Sequence, residues 1–138
     1  MTVTIFHNPA CGTSRNTLAA IRESGVEPVV VEYLKAGWTK PQLQDLLGKL
    51  KLGPRDILRT KGALAGELGL TDPTASDDAI LDAMVAHPVL VERPIVVSPR
   101  GAVLSRPSER VFAILDNPPA AFTKEDGERV LPGNAPTA

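Results

Sequence analysis

Runs of apolar and polar positions predict a defined order of strands and helices in this chain. The apolar run over residues 2–6 predicts a short buried strand, since Val, Ile and Thr favour extended backbone. Residues 14–24 have apolar positions at helical spacing; Thr13 or Ser14 is expected to cap this helix, and Gly25 to end it. Residues 29–31 are three valines and predict a second strand. Strand, helix and strand in this order predict a parallel pair with a right-handed crossover.

The middle of the chain has a helical pattern. Thr39 and Pro41 open a helix over 39–50 whose leucines form an apolar stripe. A shorter helix is predicted over 54–58, and a charged start at 76–78 opens another that ends at His87-Pro88. We therefore expect a helical insertion between the first two strands and the rest of the fold.

The pattern returns to strands near the C-terminus. Residues 94–97 and 102–104 predict two antiparallel strands joined by the tight turn 99–101, followed by a helix over 107–116. Beyond 118 the apolar periodicity is poor, and a loose tail is expected from about residue 131. With no repeats or linker, the prediction is one domain over 1–138. It has a βαβ unit, a helical insertion and a ββα unit, which together describe a mixed four-stranded α/β sheet with flanking helices.

Composition narrows the classes of function. Apolar residues make up 43% of 138 residues, and the formal net charge is −1, so the overall charge does not attract nucleic acid or anionic membrane. No apolar run reaches the ~20 residues of a membrane span, and the N-terminus lacks a signal-peptide pattern. One cysteine excludes an internal disulfide and a multi-cysteine metal site. We therefore expect a cytoplasmic protein without a bound metal.

The single cysteine, Cys11, lies where the first strand meets the first helix. Backbone N–H groups at a helix start and the helix dipole favour the thiolate, which is the nucleophilic form. Gly12 is expected to allow a tight turn there, and His7 and Arg15 are close enough in sequence to add positive charge. The alternative is that Cys11 is a small buried apolar residue, His7 a structural hydrogen-bonding group and Arg15 an ordinary solvated arginine.

Two familiar cysteine motifs do not fit this segment. A disulfide oxidoreductase has C-x-x-C, but the fourth position here is Ser14. A cysteine phosphatase loop would place an arginine six residues after the cysteine, where this chain has Thr17. If the site binds an oxyanion, its other positive charges must therefore come from distant parts of the sequence.

Arg93 and Arg106 are candidates for those charges. Folding the predicted hairpin symmetrically about Pro99-Arg100 brings the two positions to the same end, and each is followed by proline. Planar guanidinium groups bind tetrahedral oxyanions with paired hydrogen bonds. The alternative is that both are solvent-facing arginines.

Three motifs carry a resemblance to a known family: "HNPACGTSRNTL" at the start, "RPIVVSPRGAVLSRPSE" late in the chain and "FTKEDGE" near the end. The chain resembles the glutaredoxin-dependent bacterial arsenate reductases, which have a thioredoxin-like fold. The resemblance covers nearly the whole chain in order and is looser in the middle and over the last eight or so residues.

The resemblance implies a mechanism and a set of residues. Cys11 matches the cysteine that attacks arsenate, and the three arginines that hold the oxyanion match Arg59, Arg93 and Arg106. His7 matches a histidine near the family's thiol, and the proline matching Pro94 is cis in this fold class. Glutathione is then the co-substrate and glutaredoxin the protein partner. The expected protein is a cytoplasmic monomer that binds no metal, flavin or nicotinamide.

Two other functions are consistent with the same pattern. The broad fold group includes transcriptional regulators that bind RNA polymerase, but their usual redox switch is C-x-x-C, which Ser14 breaks. A related thiol reductase that acts on another oxyanion or on a glutathione adduct would keep the same cysteine.

Overall fold

A computed structural model of the chain describes residues 1–132 and contains two compact units. One unit combines Met1–Glu32 with the chain from Arg93 onward, and the other is Tyr33–Glu92. The single domain over 1–138 stays a prediction. Of the loose tail predicted from about residue 131, only the first two residues lie within the described part.

The first unit is built on a four-stranded mixed sheet in the order β2-β1-β3-β4. Its strands are β1 (Thr4–His7), β2 (Val29–Glu32), β3 (Ile95–Ser98) and β4 (Gly101–Leu104). The first two strands pair in parallel, β1 and β3 pair antiparallel, and β3 and β4 form the antiparallel hairpin. This is the sheet that the sequence pattern predicts.

Helix α1 (Gly12–Glu23) and a 3₁₀ helix over Ser108–Ile114 pack against each other in this unit. The predicted final helix is therefore present but wound as a 3₁₀ helix. Both helices contribute to one apolar core with the sheet. Its fully buried members include Ile5, Ala20, Ile21, Val96 and Val111.

The start of α1 differs from the expectation. Its N-cap is Cys11, with extended backbone and no side-chain capping hydrogen bond, so neither Thr13 nor Ser14 is the cap. Both lie inside the first turn because the helix begins two residues earlier than the apolar spacing suggests. Its end is as predicted: Gly25 follows the C-cap with a φ of +83°.

A small hairpin, β5 (Phe122–Thr123) and β6 (Arg129–Val130), lies in the segment for which no regular structure is predicted. Phe122 is only 2% exposed and packs edge-on against Phe112, with ring centroids 5.8 Å apart. Strands of two residues are too short to produce a visible alternation in sequence, which is why the hairpin is missed.

The second unit is mainly helical, as the predicted insertion requires. Helices α3 (Lys40–Leu50) and α5 (Asp77–Ala86) begin at the predicted caps, and the Thr39 hydroxyl accepts a hydrogen bond from the Gln42 amide at 3.2 Å. The predicted short helix is a 3₁₀ turn over Pro54–Ile57. Three more short helices are not predicted, because three or four residues carry no periodic signal: α2 (Tyr33–Ala36), α4 (Leu64–Glu67) and a 3₁₀ turn over Pro88–Leu90.

Candidate active site

Cys11 lies at the junction between β1 and α1, after a tight loop over residues 8–11. Its amide donates to the Asn8 carbonyl at 3.0 Å, and its carbonyl accepts the first hydrogen bond of α1, from Arg15, at 2.9 Å. The N–H groups that follow at a helix start have no carbonyl partner within the helix. The thiol therefore lies beside free donors and the positive end of the helix dipole.

The buried Ser14 side chain holds this loop in place through two hydrogen bonds. Its hydroxyl lies 2.6 Å from Nδ1 of His7 and accepts a hydrogen bond from the Asn8 amide at 3.1 Å. All three residues are buried. The residue that replaces a second cysteine therefore ties the end of the strand, the loop and the first turn of the helix together.

His7 is neutral at pH 7. Burial lowers the pKa of its imidazole; Glu32 opposes this shift, and the charges of Arg22 and Arg15 add to it. The expectation that His7 adds positive charge beside the thiol is therefore wrong, because the buried ring loses the water that would stabilise its charged form.

Arg93 and Arg106 converge at one end of the β3–β4 hairpin. The hairpin pairs Ile95 with Leu104, and Arg106 Nη1 donates to the Arg93 carbonyl at 3.0 Å. The same Nη1 lies 3.8 Å from Sγ of Cys11. The convergence predicted from hairpin symmetry is thus present. The Arg93–Pro94 and Arg106–Pro107 peptide bonds are both cis.

Two hydrogen-bond donors of the Arg93 side chain have no partner in the described part of the chain. The Nε and Nη1 atoms are buried and have no hydrogen-bond partner within residues 1–132. Buried polar groups in proteins almost always have a partner. Two such donors on a charged group point to an anionic ligand rather than to a structural role.

The pKa of the Cys11 thiol is lowered. Partial burial alone would raise it, but stabilisation of the anion by the Arg93 side chain, by the Ser14 backbone amide and by the Arg106 side chain outweighs burial. A lowered pKa favours the thiolate, and this supports a reactive thiol over the inert buried residue of the alternative interpretation.

The guanidinium group of Arg15 pairs with the carboxylate of Glu125. Its Nη2 and Nε bind the two carboxylate oxygens of Glu125 at 2.7 and 3.1 Å, and Nη1 donates to the Pro9 carbonyl at 2.8 Å. The hydrogen bonds that Arg15 donates to Glu125 are the main reason that the pKa of Arg15 is raised. The positive charge predicted for Arg15 is present, but a carboxylate balances it.

No pattern in the sequence indicates a role for Glu125, although this residue lies within the motif "FTKEDGE". Gly12, from which a tight turn is expected, is the first residue of α1 and does not take a positive φ. A Cβ at this position would lie 3.0 Å from Oε1 of Glu125, so Gly12 provides space for that carboxylate.

Arg59 belongs to the second unit, just after the 3₁₀ turn Pro54–Ile57. Its Nη1 pairs with Oε1 of Glu92 at 2.7 Å, and its amide donates to the Leu90 carbonyl. The assignment of Arg59 to the oxyanion stays a prediction from the resemblance.

Neither a metal cluster nor a membrane span is found in the described part of the chain. Within residues 1–132, no three His, Cys, Asp or Glu side chains come together as metal ligands do. No helix of that range combines the length and apolar character needed to cross a bilayer.

The fold and the thiol at the start of α1 define the chain as a thioredoxin-like α/β protein with a single cysteine at the strand–helix junction. The model of the ArsC family matches residues 6–114, and the chain belongs to that family.

Named relatives cover almost the whole chain. An arsenate reductase of Rhizobium meliloti is 55% identical over 95% of this chain and 94% of its own length. An arsenate reductase of Escherichia coli K12 is 48% identical over 94% of this chain and 92% of its own. Among solved structures, an arsenate reductase from Vibrio cholerae matches with a TM-score of 0.80 and 44% identity, covering 83% of this chain and 98% of that one.

Proposed function

We propose that this protein is an arsenate reductase in which the Cys11 thiolate attacks the arsenic atom. The observation that carries the proposal is the arrangement of Cys11, Arg93 and Arg106: a thiol of lowered pKa faces two guanidinium groups, and one of these has unpaired buried donors. Membership of the ArsC family and the names of its relatives support arsenate as the oxyanion.

The first step is the formation of a sulfur–arsenic bond. The thiolate of Cys11 attacks arsenate, and one arsenic–oxygen bond breaks, its oxygen leaving as water after protonation. Both reactants are anions, so their repulsion opposes the encounter. Arg93 and Arg106 offset that repulsion and stabilise the charge that builds up on the arsenic oxygens.

The second step must bring electrons from outside the chain. Reduction of As(V) to As(III) takes two electrons, and a protein with one cysteine cannot supply them by closing its own disulfide. Glutathione adds its sulfur to the arsenic of the adduct, and a second arsenic–oxygen bond breaks, its oxygen leaving as water after protonation. A glutaredoxin thiolate then attacks that sulfur, the sulfur–arsenic electron pair passes to arsenic, and glutaredoxin and glutathione leave as a mixed disulfide. Hydrolysis of the remaining bond to Cys11 releases arsenite.

Two further parts of this proposal rest on the resemblance or on composition. Arg59 is the third arginine that holds the oxyanion. A cytoplasmic location follows from the need to keep the only cysteine reduced, since cytosolic thiol systems do so.

Arsenite production in a steady-state assay, with each component left out in turn, tests the function. We expect turnover only when glutathione and glutaredoxin are both present, and none with Cys11→Ser, because a serine hydroxyl is a far weaker nucleophile at neutral pH. Turnover with thioredoxin alone would exclude the glutathione adduct. Comparable turnover by Cys11→Ser would exclude Cys11 as the nucleophile.

Arginine variants test the oxyanion site. Arg93→Ala and Arg106→Ala should each reduce kcat/KM for arsenate by about 2–4 kcal/mol in transition-state free energy. Arg100→Ala is the matched control, because Arg100 lies on the same hairpin but is exposed and pairs with Asp116. Lysine at either site should restore activity only in part, as it lacks the planar two-pronged donor set. Equal activity in all three alanine variants would remove Arg93 and Arg106 from the site.

A further inference from the structure

The turn of the β5–β6 hairpin returns to the start of α1, beside the thiol. The Glu125 amide, in this turn, donates to Oδ1 of Asn16 on α1 at 2.9 Å. The next residue back, Lys124, pairs with Glu109 at 3.0 Å, and both side chains are almost buried. Together with the buried Phe122, these contacts fix the hairpin on the first unit, so the position of Glu125 is well defined.

The carboxylate of Glu125 is connected to the loop over residues 8–11 through the side chain of Arg15. Arg15 binds both of its oxygens and, with its remaining Nη1, the Pro9 carbonyl two residues before Cys11. A two-pronged pair of this kind fixes the direction of a guanidinium group as well as its distance. Glu125 thereby determines where the charge of Arg15 lies.

The Arg15–Glu125 ion pair is too exposed to contribute much to the free energy of unfolding, so a role in stability does not explain it. The side chains of Arg15 and Glu125 are 45% and 46% exposed, and pairs with this exposure add little to the free energy of unfolding. The carboxylate does lie next to the residue that follows Cys11, since a Cβ on Gly12 would be 3.0 Å from Oε1 of Glu125. A negative charge close to a thiol opposes its ionisation unless that charge is balanced. Glycine at position 12 leaves room for this carboxylate without any movement of the Glu125 side chain.

We propose that Glu125 is a positioning residue for the Cys11 thiol: it holds Arg15 on the Pro9 carbonyl and balances the charge of Arg15 beside the thiol. Arg93 and Arg106 are then the cations that face the sulfur directly. This inference rests on the proposed function only in giving Cys11 the role of nucleophile.

Removing the charge of Glu125 and removing the charge of Arg15 should have opposite effects on the pKa of Cys11. The charged groups around the thiol are Arg93 and Arg106 from the hairpin and Arg15 from α1, while His7 behind the loop is neutral. Glu125→Gln leaves the charge of Arg15 unbalanced and should lower the pKa of Cys11. Arg15→Gln leaves the carboxylate unbalanced and should raise it.

The experiment is the rate of Cys11 alkylation against pH on the intact protein. We expect the midpoint to fall by a few tenths of a pH unit in Glu125→Gln, to rise by a similar amount in Arg15→Gln and to return to the wild-type value in the double variant, since exposed charges are partly screened. The rate at high pH should fall in the first variant and rise in the second, because thiolates of lower pKa are weaker nucleophiles.

Glu27→Gln is the matched control. Glu27 forms a similarly exposed two-pronged pair with Arg22, which is also on α1, and should leave the alkylation profile unchanged. A purely structural disturbance would move Glu125→Gln and Arg15→Gln in the same direction, and that result would overturn the proposal. Midpoints identical to the control would overturn it as well.

Arsenate reduction by the same proteins separates this inference from the proposed function. If the midpoints shift as expected but the wild-type protein reduces no arsenate, the reductase assignment fails and the positioning role stands. If the wild-type protein reduces arsenate and neither variant shifts the midpoint, the positioning role fails alone.

Discussion

Cys11 owes its chemistry to side chains that are distant in sequence. Burial opposes its ionisation, and Arg93, the nearby Ser14 backbone amide and Arg106 together outweigh that effect. The two arginines lie more than eighty residues away along the chain. The sequence identifies the thiol and both arginines, because a lone cysteine at a strand–helix junction and a symmetric pair of Arg-Pro steps are visible patterns. It does not identify Glu125, since an acidic residue in a polar turn has no pattern that indicates its partner.

The first prediction concerns the pKa of Cys11. Arg93→Ala and Arg106→Ala should each raise it, toward the free-thiol value of ~8.5, because each removes a positive charge beside the sulfur. The midpoint of alkylation rate against pH measures this, with Arg100→Ala as the control. A wild-type midpoint at or above the free-thiol value would mean that the arginines do not stabilise the thiolate.

The second prediction concerns His7. Its pKa in the folded protein lies below 6.5, so the unfolded chain binds more protons at this site as pH falls through that value. The contribution of His7 to stability is complete above about pH 6.5 and is lost at lower pH. His7→Asn, which cannot titrate, should therefore show a shallower loss of unfolding free energy between about pH 7 and 5 in urea denaturation. An equal slope in the two proteins would contradict this.

The junction between β1 and α1 depends on one buried hydroxyl. Ser14 is fully buried, and its Oγ serves both the His7 ring and the Asn8 amide. No capping side chain holds this end of the helix. This one oxygen therefore contacts the end of the strand and the loop from the first turn of the helix.

The third prediction concerns the hydroxyl of Ser14. Ser14→Ala should lower the free energy of unfolding by about 1–3 kcal/mol, because it leaves two buried polar groups without a partner. Ser24→Ala is the control at the other end of α1: the Ser24 hydroxyl donates to the Ala20 carbonyl, which already accepts the Ser24 amide. Urea denaturation of both variants checks the difference, and equal losses would contradict the special role of Ser14.

The elements that the sequence predicts well are those with a clear period or a clear boundary residue. All four strands of the main sheet and the helices that begin at Thr39 and Ser76 are in this group. The start of α1 is misplaced because a thiol occupies the position where a hydroxyl or carboxylate usually indicates a cap. The β5–β6 hairpin is missed because its stability comes from one buried ring and from side-chain contacts that are distant in sequence.

The molecule as a whole carries a formal charge of −1, so its overall field does not attract an anion. Under the proposed function, an anion is therefore bound by local donors, among them Arg93, Arg106 and the start of α1. A ligand that binds only the folded chain stabilises it in proportion to how far its concentration exceeds its Kd.

The fourth prediction uses this linkage. Arsenate at one hundred times its Kd should raise the free energy of unfolding by about 2.7 kcal/mol, and the Tm should rise with concentration. Arg93→Ala should lose most of this effect at the same concentration, whereas Arg100→Ala should keep it. Thermal unfolding with increasing arsenate measures both, and equal stabilisation of the two variants would mean that the anion binds elsewhere.

The pairing of β3 with β4 limits where the chain can change length. Side chains alternate between the faces of a strand, so an insertion or deletion of one residue between Gly101 and Arg106 would turn that arginine away from Arg93. Pro99 and Arg100, at the exposed tip, lie outside the paired residues. Length variants at the tip should therefore keep the distance between the two guanidinium groups, and single-residue changes within either strand should not.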